Sequence, residues 1–102
     1  MSANPVRGEA ALRVAGAALV LRPTFGALVA AEQELGPLFA LVERAAAGQL
    51  TLNEIAGLFW HCLHERPEGL TRDRLGEAMV EAGLAAITPG LRTLIADILK
   101  GR

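Results

Sequence analysis

From Ala10 to Leu21 the chain alternates with a period of two, and beyond Thr24 its apolar positions fall three and four apart. The first rhythm predicts a β-hairpin and the second predicts helices. With Ala15-Gly16 as a two-residue turn, Val14 faces Ala17, Leu12 faces Leu19 and Ala10 faces Leu21, all six on one face. The other face pairs Glu9 with Arg22, Ala11 with Val20 and Arg13 with Ala18, and the opposite charges of Glu9 and Arg22 favour that register. An isolated hairpin is marginal in water, so its apolar face must pack on helices or on another copy of the chain.

Five helices are expected after the hairpin, at about 24–35, 37–47, 51–65, 71–82 and 88–100. Pro23 ends the second strand and Thr24 caps the first helix, whose stripe is Phe25, Leu28, Val29 and Leu35. Gly36-Pro37 stops that helix and starts the next, lined by Leu38, Leu41, Val42 and Ala45 and closed by Gly48. Thr51 and Glu54 have capping-box spacing ahead of a helix whose buried side is expected to be Leu52, Ile55, Leu58, Phe59, Cys62 and Leu63. "RPEG" at 66–69 is a turn, Thr71 caps the fourth helix, and Gly83 ends it. "TPG" at 88–90 is read as the start of the fifth, with Thr88 as cap. The expected fold is α+β, mainly helical behind an N-terminal hairpin, in a single domain over residues 1–102.

Composition narrows the function without choosing it. Apolar residues make up 52% of the 102 positions, slightly above the usual share of about 45–50%. Mean hydropathy is +0.35. That surplus fills a core or leaves a patch for a partner. Ten basic and eleven acidic residues give a net charge of -1, without the basic stripe that a nucleic-acid partner calls for. "RDRLGEAMVEAG" carries arginines only at its start, which argues against a DNA-reading helix. The longest apolar runs, "AGAALVL" and "FGALVAA", fall short of the roughly 20 residues of a membrane span. "MSANPVRGEA" lacks the apolar centre of a secretory signal. One cysteine excludes an internal disulfide and fits a reducing compartment. The expectation is a cytoplasmic protein with neither nucleic acid nor membrane as partner.

Candidate chemistry is sparse. "HCLHE", His61 to Glu65, places two histidines three apart and His61 four from Glu65 on one helix face. Zinc takes three or four protein ligands, and no second cluster supplies the rest, so a solvated polar face is expected and no metal. Cys62 falls on the apolar stripe, and adjacent helical residues do not face each other, so His61 cannot serve it as a base. Neither GxGxxG nor GxxxxGK[ST] is present. No enzyme activity, catalytic residue or cofactor is expected. Gly26, Gly57 and Gly76 stand inside predicted helices, each costing roughly 1 kcal/mol against alanine; close packing beside the hairpin is expected at Gly26. Trp60, at the border of its stripe, is either partly buried core or an interface anchor.

The segment "NPVRGEAALRVAGAALVLRPTFGALVAAEQELG", Asn4 to Gly36, resembles the start of a small family encoded in tail gene clusters of gene transfer agents and long-tailed phages. The resemblance is carried by Arg7-Gly8-Glu9, by Thr24-Phe25-Gly26-Ala27-Leu28 and by Glu32 through Gly36. "LTLNEIAGLFWHCLHE" and "LTRDRLGEAMVEAGLAA" extend it over nearly the whole chain. Where many relatives have Asp-Gly at the turn, this chain has Ala15-Gly16. The resemblance implies a tail-assembly chaperone that coats the long helical tape measure protein before tube subunits polymerise. The alternative is a minor structural tail subunit retained in the particle. Implied partners are the tape measure protein or other tail proteins; from the residues themselves, the edge strand of the hairpin also offers pairing with a second copy. Leu12, Leu19, Leu21 and Trp60 are the expected partner-binding residues, and Leu19→Asp is expected to abolish that binding.

Overall fold

The computed structural model describes residues 10–14 and 17–101, with side chains from Ala18 onward. Two strands, β1 (Ala10–Val14) and β2 (Ala17–Leu21), form an antiparallel hairpin. Its register is Ala10 to Leu21, Ala11 to Val20, Leu12 to Leu19, Arg13 to Ala18 and Val14 to Ala17, as the alternation predicts. The Ala15-Gly16 turn and the Glu9–Arg22 pair lie outside the described residues or side chains. Five helices follow: α1 (Phe25–Leu35), α2 (Leu38–Ala46), α3 (Leu52–Cys62), α4 (Arg72–Ala82) and α5 (Leu84–Lys100). The class is α+β.

Local signals account for most helix ends. Thr24 Oγ1 accepts from the Ala27 amide at 3.1 Å, and Thr71 Oγ1 from the Arg74 amide at 3.2 Å. At α3 the capping box is complete, with Glu54 Oε1 accepting from the Thr51 amide at 2.9 Å and Thr51 Oγ1 from the Glu54 amide at 3.2 Å. Pro37 cannot cap α2 with a side chain, so Glu32 of α1 reaches across the corner and accepts from the Leu38 amide at 3.1 Å. That bond fixes a 78° turn between α1 and α2.

Two boundaries differ from the sequence reading. The third helix ends at Cys62, and Leu63–His64 forms a short strand, β3, on the far side of β2. Helix ends leave carbonyls without helical donors, and here other groups take them. The Arg22 amide donates to the Cys62 carbonyl at 2.7 Å, while Arg66 donates to the Trp60 carbonyl at 2.9 Å. Leu63 then pairs with Leu21, and Glu65 turns the chain away at φ +54°. The fifth helix starts at Leu84, not Thr88. Gly83, at φ +93°, closes α4 and opens α5 with a 117° change of direction. Pro89 therefore sits in the second turn of a continuous helix, and the Thr88 hydroxyl donates back to the Leu84 carbonyl at 2.7 Å. The proline deprives the Ala85 carbonyl of a helical donor, and Ala85 is exposed to water that can replace it.

One face of the sheet and the helices meet in a core of Leu19, Leu21, Ala31, Leu58, Phe59, Cys62, Leu63, Leu75, Met79, Ile87 and Leu94. Helices α4 and α5 lie against β1, α3 lies between α1 and α4, and α2 rests on α1. Among the described residues, no single helix is long and apolar enough to cross a membrane.

Candidate functional site

The residues expected to bind a partner are placed unequally. Leu19 is 7% exposed and Leu21 fully buried, both in the protein's own core. Of the two packings open to the hairpin face, the structure takes the one on helices, so a charge at Leu19 would be buried. Leu19→Asp therefore tests folding and not a docking face. Leu12 pairs with Leu19 in the backbone ladder; its side chain lies outside the description. Trp60 is half-buried against the core, and the Arg66 guanidinium covers its ring at 4.2 Å from the centroid.

The HCLHE segment is divided between two elements. Cys62 is buried, which pushes its thiol up to about 12 and keeps it protonated near neutrality. His64 lies on β3, 3.6 Å from Glu65, whereas His61 turns toward α1 and meets Glu34 at 2.8 Å. Among the described residues, no three His, Cys, Asp or Glu side chains gather as a metal site.

Glu34 is instead the centre of an ionic staple joining three helices. Its Oε2 pairs with the Arg72 guanidinium of α4 and its Oε1 accepts from His61 Nε2 of α3. Arg72 also approaches the Asn53 carbonyl at 3.5 Å. The Arg72 hydrogen bond, followed by that from His61, holds the Glu34 carboxyl down to about 2. An ionised carboxylate only accepts, so His61 Nε2 carries the proton of this contact. A second pair, Arg44 with Glu54, ties α2 to the capping box of α3 and likewise lowers Glu54 to about 2. Sequence reading missed both pairs, because each joins residues at least ten positions apart on different helices.

Arg72 crosses α3 at Gly57. A β-carbon there would lie 2.6 Å from the Arg72 guanidinium and 3.2 Å from Leu35 Cδ2. Close packing thus belongs to Gly57. It does not belong to Gly26, where a β-carbon would meet nothing within 4 Å.

On the outer side of the same helix pair lies a groove of about 830 Å³. Apart from Asn53 of α3, its walls are three rows of residues at four-residue spacing, which puts each row on one face of a helix. Leu52 and Ala56 come from α3; Arg72, Gly76 and Val80 form the inner row of α4; Asp73, Glu77 and Glu81 form its outer row. Leu52 is 41% exposed and Val80 58%. Leu52 was expected on the buried side of its helix, and it opens into this groove instead.

A family model described as "Phage tail tube protein, GTA-gp10" matches residues 7–101. The chain belongs to this family. No curated protein and no solved structure matches the chain. Every described element lies within the span matched to the GTA-gp10 family, from hairpin to α5. The chain is therefore a protein of the tail gene clusters of phages and gene transfer agents, and the family points to other tail proteins as its partners.

Proposed function

We propose that this GTA-gp10 family member is a tail-assembly chaperone that binds the tape measure protein in the bacterial cytoplasm before tube subunits polymerise. The observation that carries this reading is the open groove between α3 and α4, with Leu52 and Val80 exposed in it. A tape measure protein is long, helical and prone to aggregate while unassembled, and an apolar groove between helices accepts an amphipathic helix. Surface of that kind is reusable, and the cation on its wall, Arg72, is held by an internal pair with Glu34.

A second reading is favoured by the family's own description, which names a tail tube protein. On that reading the chain is a minor tube subunit that stays in the particle. Affinity capture from cells expressing the tail gene cluster, with finished particles assayed in parallel, separates the two. The chaperone reading expects the tape measure protein to be captured and this chain to be absent from particles. A fixed stoichiometry in particles would overturn it in favour of the subunit.

A further inference from the structure

We infer that the α3–α4 groove is a docking site for an amphipathic helix of another tail protein, one whose apolar stripe is flanked by lysine or arginine. The inference rests on the chaperone reading only for which tail protein supplies that helix. Its first support is shape. The inner row of α4 from Arg72 to Val80 spans eight helical steps, about 12 Å, so it matches about two turns of a docked helix.

The second support is Gly76, at the middle of that row. A glycine inside a helix costs roughly 1 kcal/mol relative to alanine. Gly57 has an internal reason for it, since Arg72 and Leu35 fill the space a side chain would take. At Gly76 a β-carbon would meet nothing within 4 Å. The space belongs to the groove, and a missing side chain there lets an incoming helix approach the α4 backbone.

Charge then selects the occupant. Asp73, Glu77 and Glu81 line the outer row, and all three are exposed. The cation on the wall, Arg72, is already bridged to Glu34, and Glu77 has only a 3.4 Å exposed contact with Arg74. A helix carrying carboxylates beside its apolar stripe would face like charge along that row. One carrying lysine or arginine would find three opposite charges at successive turns.

The test uses the full chain and two synthetic amphipathic peptides with the same leucine stripe, one flanked by lysine and one by glutamate. Labelled peptide is titrated and followed by anisotropy, and backbone amide shifts locate the contact. The lysine peptide is expected to bind about tenfold or more tighter than the glutamate peptide, as three rim pairs would give. The advantage should shrink with added salt, and the shifts should centre on Leu52–Ala56 and Gly76–Glu81. Gly76→Leu places a good helix former in open space, so it should fold and lose the peptide. Joint Asp73→Lys, Glu77→Lys and Glu81→Lys should reverse the preference. Equal binding of both peptides, binding of neither, unchanged binding by Gly76→Leu, or shifts centred on the exposed Phe25 of α1 and Phe39 of α2 would each overturn the inference. Concentration-dependent shifts at the groove without peptide would assign it to a second copy, and would also overturn it. Tape measure capture that survives Gly76→Leu removes the groove inference and leaves the chaperone reading standing. Peptide binding without tape measure capture does the reverse.

Discussion

Gly57 and Gly76 lie within neighbouring helices, α3 and α4, and both are tied to Arg72: its guanidinium crosses the first, and the second stands one turn after it. At Gly57 the missing side chain is occupied from inside the molecule, by an arginine on its way to Glu34 and by Leu35. At Gly76 nothing from inside comes near. The same local cost has an internal cause in one place and lacks one in the other. An unexplained cost on a surface groove directs attention outward, to whatever covers it when the protein is at work.

The sharpest way to break this contrast is at Gly57. Valine there would drive branched carbons into the Arg72 guanidinium and Leu35, and we expect a loss of about 2 kcal/mol in urea unfolding. Gly57→Ala should cost less, because the arginine end can swing aside and the helix gains propensity. The loss in Gly57→Val should also overlap with that in Glu34→Gln, since both release Arg72 from the same carboxylate. Fully additive losses would mean that Gly57 and the Glu34 staple are independent.

Gly76→Ala should act with the opposite sign. The new methyl meets open space and the helix gains propensity, so stability is expected to rise by about 0.5–1 kcal/mol. For a chain of this size that moves the thermal midpoint up by about 4 °C. An unchanged or lower midpoint would show that Gly76 already serves the isolated fold, and the contrast with Gly57 would be lost.

How much of this was legible in the sequence follows from the range of each interaction. The hairpin register could be read pair by pair, because strand alternation and turn position decide it locally. The caps at Thr24, Thr51 and Thr71 were equally visible, since each bonds within three residues. Strand β3 was hidden because Leu63 and His64 continue a helical apolar pattern. Only the Arg22 amide, forty residues earlier, takes the Cys62 carbonyl and turns the chain into the sheet. Thr88-Pro89 has the composition of a helix start, yet Gly83 had already turned the chain and opened α5 five residues before Thr88. His61 drew notice for its neighbours in sequence, whereas its partner is Glu34 on another helix. The groove was illegible for the same reason: its rows are contiguous within α3 and within α4, but their meeting is tertiary.

The smallest expected effect lies in the acid range and separates the staple from the groove by a different observable. Glu34 titrates at about 2 in the folded chain against an ordinary value of 4.5, held down by Arg72 and then His61. A carboxyl whose pKa falls on folding contributes stability that is complete above its unfolded value. That stability drains away as pH drops from about 5 toward 2. Glu34 is one-third exposed, so solvent screens the pair and the effect is modest. Glu34→Gln should therefore be less stable than the parent at neutral pH, with the difference narrowing through that window until the two curves meet near pH 2. Glu54→Gln should show the same convergence, because Arg44 and the Thr51 amide lower Glu54 to about 2 as well. Gly76→Ala, which touches no titrating pair, should run parallel to the parent over the whole range. A constant offset for Glu34→Gln, with no convergence in acid, would mean that the staple holds the helices through packing of the Arg72 and His61 side chains and not through the carboxylate's charge.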